Sequence, residues 1–132
     1  MTHIRVLIVD NAERVRQDLR TFLTLTGKIE IVGEASNGLE AVCLVEALSP
    51  DVVLMDLEMP ILDGFEATRQ IKAKQPFCRV IALSIHAGKA EQQRAFGAGI
   101  DEFVAKGAPL GTLLDVIRNT RNSGQKPKGE TI

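Results

Sequence analysis

Five short apolar runs, alternating with segments that carry one apolar stripe each, constrain this chain more than any other feature. The first run, residues 4–9 (IRVLIV), is β-branched and nearly continuous. Such a run suits a strand buried on both faces. Residues 12–26 follow, with Val15, Leu19, Phe22 and Leu23 spaced by 4, 3 and 1. That spacing lines up on one side of a helix, and Gly27 stops it. The pattern then recurs. Residues 29–35 read as a strand, Asn37-Gly38 as a turn and residues 39–48 as a helix, which Ser49-Pro50 ends. Residues 51–55 (DVVLM) form the third strand, Asp63-Gly64 a turn and residues 65–74 the third helix. Residues 79–83 (RVIAL), 89–98, 100–104 and 110–122 complete the series as strand, helix, strand and helix.

Strict alternation implies parallel strands joined by right-handed crossover helices. Five strands with helices on both faces make an α/β doubly wound sheet, and the flavodoxin-like strand order 2-1-3-4-5 is expected. A length of 132 residues fits one domain. We assign it residues 1–121 and read 122–132 (NSGQKPKGETI) as a polar tail or the start of a linker.

Composition narrows the partners. Sixteen basic groups against 17 acidic ones give a net charge of -1, which offers no strong electrostatic grip on nucleic acid or membrane. Trp and Tyr are absent, which argues against base-stacking platforms. No apolar run approaches the roughly 18 residues of a membrane span. The opening Met-Thr-His-Ile-Arg goes straight into the first strand without a secretory signal, so a cytoplasmic location is expected. Cys43 and Cys78 lack metal-like spacing and read as small packing residues in a reducing compartment.

In a doubly wound sheet, sites lie at the carboxyl ends of the strands near the switch in strand order. The residues there are Asp10 and Asn11 after the first strand, Asp56 after the third, Ser84 after the fourth and Lys106 after the fifth. Two acids held close repel each other unless a cation sits between them. Mg²⁺, a hard ion that takes oxygen ligands and keeps several waters, suits such a pair. Lys106 supplies a further positive charge, and Ser84 a hydrogen-bond donor for an anionic oxygen. These groups suit phosphoryl transfer onto a carboxylate, where metal and lysine neutralise charge on the transferring group.

Four stretches carry a resemblance: LIVDN (7–11), VVLMDLEMPILDG (52–64), ALS (82–84) and GAGIDEFVAKG (97–107). Over about residues 3–121 the chain resembles the receiver domains of response regulators, the CheY-like phosphorylation switches of two-component systems. The resemblance implies that Asp56 accepts phosphate from a sensor histidine kinase or a phosphotransfer protein. It implies a Mg²⁺ site made of Asp10, Asn11, Asp56 and the backbone carbonyl of Glu58. Ser84 and Lys106 would contact the phosphate, and Phe103 would be the aromatic that moves with Ser84. The output surface would be the fourth helix, fifth strand and fifth helix. Such a domain is a switch rather than an enzyme, since it catalyses only its own phosphorylation and dephosphorylation.

Two departures stand out. The family usually has two acids after the first strand, and here the second is Asn11, which keeps an oxygen ligand but loses a charge. Glu58 is a further acid beside the site that could partly offset the loss. Gly107 follows the lysine where the family often has a cis-proline, so no cis bond is expected there. His86, two residues after Ser84, together with Glu58, is a candidate for tuning the lifetime of the acyl phosphate.

Rival readings remain open. A degenerate pseudo-receiver would keep the fold and bind partners without phosphorylation. A dinucleotide-binding or flavodoxin-like enzyme would need a Gly-rich loop after the first strand, where Asp10-Asn11-Ala12-Glu13 stands instead. A haloacid-dehalogenase-type phosphatase would need an Asp-x-Asp pattern at that place. The region of the fourth and fifth strands resembles receivers that carry a DNA-binding helix-turn-helix module, although nothing in these 132 residues reads as binding DNA itself.

Overall fold

A computed structural model describes residues 3–120. The strands are β1 (Ile4–Val9), β2 (Ile29–Ala35), β3 (Val52–Asp56), β4 (Arg79–Ser84) and β5 (Glu102–Ala105). The helices are α1 (Glu13–Leu25), α2 (Gly38–Leu48), α3 (Gly64–Lys74), α4 (Lys89–Gly97) and α5 (Leu110–Thr120). All four strand pairings are parallel, in the order β2-β1-β3-β4-β5. The expected architecture and strand order are therefore both present. The tail assigned to residues 122–132 lies outside the described residues.

The continuous apolar runs are explained by two cores, one on each side of the sheet. Side chains alternate across a strand. Leu7, Val9, Val53, Met55, Val80 and Ala82 therefore face α2, α3 and α4, which contribute Val45, Phe65, Ile71 and Ala95. Ile4, Val6, Ile8, Val52, Leu54, Ile81 and Leu83 face α1 and α5, which contribute Leu19, Leu23, Leu113 and Ile117. Each fully buried aliphatic side chain contributes about 1.5–3 kcal/mol, so the two-sided burial of β1, β3 and β4 fixes the sheet beneath the rim. Cys78 is buried among the first group and Cys43 is exposed.

Several boundaries differ from the sequence reading, for reasons of local chemistry. Asn37 and Asp63 were expected in turns, but each caps a helix. Asn37 Oδ1 accepts the Glu40 N–H at 2.8 Å, and Asp63 Oδ1 accepts the Glu66 N–H at 2.9 Å. Gly38 and Gly64 accordingly open α2 and α3 instead of preceding them. Both glycines are required by close approach: a Cβ on Gly64 would collide with the Asp56 carbonyl oxygen, and one on Gly38 with the Leu62 carbonyl oxygen. Asp51 precedes β3 instead of starting it, and Asp56 and Ser84 are the last residues of their strands. The fifth strand starts at Glu102 rather than residue 100, because Ile100 and Asp101 still belong to the turn after α4; the Asp101 N–H reaches the Val80 carbonyl at 2.9 Å.

Candidate functional site

β1 and β3 are neighbours, so their carboxyl ends place Asp10 and Asp56 side by side. Both are buried, at 1% and 4% exposure. Lys106, directly after β5, extends its ammonium group between them. Its Nζ donates to Asp10 Oδ2 at 2.9 Å and stands 3.4 Å from Asp56 Oδ1. The cation that two close carboxylates demand is thus supplied by the chain itself. The backbone helps. The Ala12 N–H donates to Asp10 Oδ1 at 2.9 Å, and the Glu58 N–H to Asp56 Oδ1 at 3.3 Å.

Two acids and one ammonium leave one negative charge uncompensated where both carboxylates are buried. Burial pushes the Asp56 carboxyl above its usual range, and the Asp10 carboxylate adds to the push; Lys106 and the Glu58 N–H offset it only in part. Burial pulls the Lys106 amine down, but its hydrogen bond to Asp10 and the charges of Asp10 and Asp56 outweigh this and raise it.

The remaining rim residues are arranged differently. Ser84 is buried, yet its hydroxyl is folded onto its own loop, donating to the His86 carbonyl and accepting the His86 N–H, both at 3.0 Å. Glu58 and His86, which the sequence placed on separate loops, meet: His86 Nε2 lies 3.1 Å from Glu58 Oε2, with both side chains more than half exposed. The Glu58 carboxylate therefore leans toward β4's loop. Asn11 is exposed beside Asp10, and Phe103 is half-buried against the core on the α2–α4 side.

One pair escaped the sequence reading. Arg16 donates through Nε to Glu34 Oε1 at 3.1 Å and through a terminal nitrogen to the Asp10 carbonyl at 2.6 Å. The available signal was Glu34, a charged residue inside a strand one position before its carboxyl end, with Arg16 one turn into the preceding helix.

Comparison with known proteins identifies the family. The family model of the response regulator receiver domain matches residues 6–118. Response regulator protein VraR of Staphylococcus aureus is 39% identical over 117 residues, which make up 89% of this chain and 56% of that protein. The chain thus spans about half the length of the curated relatives it matches. The response regulator domain of Thermotoga maritima CheB is 37% identical, with a TM-score of 0.84 covering 91% of this chain and 97% of the other. A LuxR-family two-component response regulator from Aurantimonas sp. SI85-9A1 is 28% identical and superposes with a TM-score of 0.88 over 99% of this chain and 90% of the other. With the family model covering most of its length, this chain belongs to the response regulator receiver domains of two-component systems.

Proposed function

We propose that Asp56 is the phosphoacceptor, taking a phosphoryl group from a phosphohistidine of a sensor histidine kinase or phosphotransfer protein. The observation that carries this reading is the pair of buried carboxylates, Asp10 and Asp56, sharing one ammonium group at the switch in strand order. Among the described residues, both polar contacts of the Asp56 carboxylate fall on Oδ1, so Oδ2 is assigned as the attacking oxygen. The Oδ2–phosphorus bond forms as the phosphorus–nitrogen bond breaks, and the leaving imidazole keeps the electron pair. Lys106 then has a phosphoryl oxygen as a partner. Ser84 supplies a hydroxyl once it leaves its own loop, and Phe103 moves inward with it, which would reshape the output surface of α4, β5 and α5.

The donor set fits Mg²⁺: two buried carboxylates carry one uncompensated negative charge, and all donors are hard oxygens. Asp10, Asp56, the Asn11 side-chain oxygen and the Glu58 backbone carbonyl would hold the ion. When bound, it would neutralise charge on the transferring group.

The chain acts as a switch rather than on a separate substrate. The proposed kinase partner is the ground for placing the chain in the cytoplasm. Separately, no described helix is long and apolar enough to cross a membrane. Similarity to a LuxR-family DNA-binding response regulator from Staphylococcus aureus, at 28% identity, supports an effector domain that binds DNA in a longer protein. Mass spectrometry after treatment with acetyl phosphate and Mg²⁺ tests the central reading. One added phosphoryl group is expected, absent in Asp56→Ala and gained more readily in Asn11→Asp. A wild-type chain that stays unmodified would favour the pseudo-receiver.

A further inference from the structure

Asp10 is held more firmly than its role as a strand-end carboxylate requires. Its N–H donates to the Ala35 carbonyl at 3.0 Å, and its carbonyl accepts the Arg16 guanidinium at 2.6 Å. The same guanidinium pairs with Glu34, the residue before Ala35. The contacts close a ring: Asp10 to Ala35, Ala35 through the chain to Glu34, Glu34 to Arg16, and Arg16 back to Asp10. Arg20, one turn further along α1, takes the other oxygen of Glu34. The Arg16 and Glu34 side chains are only 16% and 22% exposed, so this pair is largely shielded from solvent. The planar guanidinium serves a carboxylate and a carbonyl from nitrogens in one fixed fork, which orders the two contacts relative to each other.

We propose that Arg16, braced by Glu34, is a positioning residue that keeps the Asp10 carboxylate aimed into the pocket it shares with Asp56 and Lys106. Arg16 acts from behind. It touches the backbone of Asp10, while the carboxylate faces the Ala12 N–H and the Lys106 amine. With both peptide groups of Asp10 tied, the loop into α1 cannot swing the carboxylate away when Lys106 changes partner. Arg16 also links the pocket to β2 and α1, so movement of α1 against β2 reaches Asp10 directly.

The test uses the full chain, isotope-labelled for NMR, with Mg²⁺ alone as the probe. Groups that orient metal ligands typically change metal affinity by about tenfold to a hundredfold when removed. Arg16→Gln is expected to weaken Mg²⁺ binding by about tenfold or more. It should also speed hydrogen exchange of the Ala12 amide, while the amides of Leu54 and Ile81 in the sheet centre keep their protection. Glu34→Gln retains a hydrogen-bond acceptor and should show the same pattern at smaller amplitude. It decides the matter if Arg16→Gln fails to fold. Wild-type Mg²⁺ affinity together with wild-type Ala12 exchange would overturn the proposal, as would equal loss of protection at Leu54 and Ile81. The magnesium readout rests on the proposed function; the Ala12 readout, taken in metal-free protein, does not. A chain that bound no Mg²⁺ would sink the first and leave the second to judge Arg16.

Discussion

On one half of the rim, Asp10, Asp56 and Lys106 interlock within 3.4 Å, and glycine contacts and an arginine brace hold their backbones. On the other half, Ser84 bonds to its own loop, His86 is 60% exposed and Phe103 is half-buried. In the proposed function, the first half would be assembled before the phosphate arrives, at an electrostatic cost, and the second would be the half that moves. A switch needs both: a fixed acceptor keeps chemistry fast, because little reorganisation remains at the moment of transfer. A movable partner gives the new charge an element to bias.

Lys106→Met breaks the built half most severely. It leaves two buried carboxylates facing each other without their cation, and should cost about 3 kcal/mol at neutral pH. The loss should shrink as pH falls and Asp56, held above its usual range, takes up a proton. Urea unfolding across pH measures both; a small, pH-independent loss would mean that the pair is not coupled through the lysine.

Asp56→Asn should act in the opposite direction, raising stability at pH 7 by about 1–2 kcal/mol through removal of the uncompensated charge. Folded Asp56 holds its proton more tightly than the unfolded chain does. Its contribution to stability is therefore full below the ordinary carboxylate range and lost as pH rises through its raised value. The gain from Asn should accordingly vanish in acid. Lys106 has the same sign in the alkaline window: its contribution holds below the ordinary lysine value and disappears as pH climbs past its raised one.

A smaller strain sits in the β3–α3 loop of the same half. Ile61 has φ +71°, a conformation rare for a β-branched residue, and the Leu62 N–H closes a tight turn onto the Pro60 carbonyl at 2.7 Å. The Ile61 side chain is 76% exposed, so packing gives little in return. Ile61→Asn, which tolerates positive φ, should stabilise the fold by about 1 kcal/mol. Thermal unfolding checks this, and a destabilised variant would show that the isoleucine packs against something that matters.

How much of this was legible follows the range of the interactions. The strands and their parallel, two-faced burial came from periodicity, because a run such as VVLM has few alternatives to two-sided burial, whereas the order 2-1-3-4-5 came from the known menu of doubly wound sheets. Asp10, Asp56 and Lys106 came from the strand-end rule, which needs only topology. Asn37 and Asp63 were misjudged because an Asx residue before glycine suits a turn and a helix cap equally; the downstream Glu40 and Glu66 amides decide. The Arg16–Glu34 brace and the Glu58–His86 contact join residues 18 and 28 positions apart, a pairing no local pattern encodes. That Ser84 rests on its own loop depends on a rotamer, which sequence does not specify.

The mildest test separates chemistry from stability on the movable half. Glu58 and His86 bridge the loops after β3 and β4 from solvent-exposed positions, and exposed pairs contribute roughly 0–1 kcal/mol. His86→Ala should therefore change the unfolding free energy from urea titration by less than about 0.5 kcal/mol. Yet the pair stands beside Asp56, whose amide contact comes from Glu58 itself. If Asp56 carries an acyl phosphate as proposed, the phosphate would sit close to the loop that holds Glu58, so opening the bridge should change the dephosphorylation rate by a few-fold, on the order of 1 kcal/mol in barrier. Phosphate loss followed by mass spectrometry reads that rate, and Glu58→Gln should move it in the same direction. A rate unchanged in both variants would assign the bridge to the loops' resting shape and leave access to Asp56 governed by the built half alone.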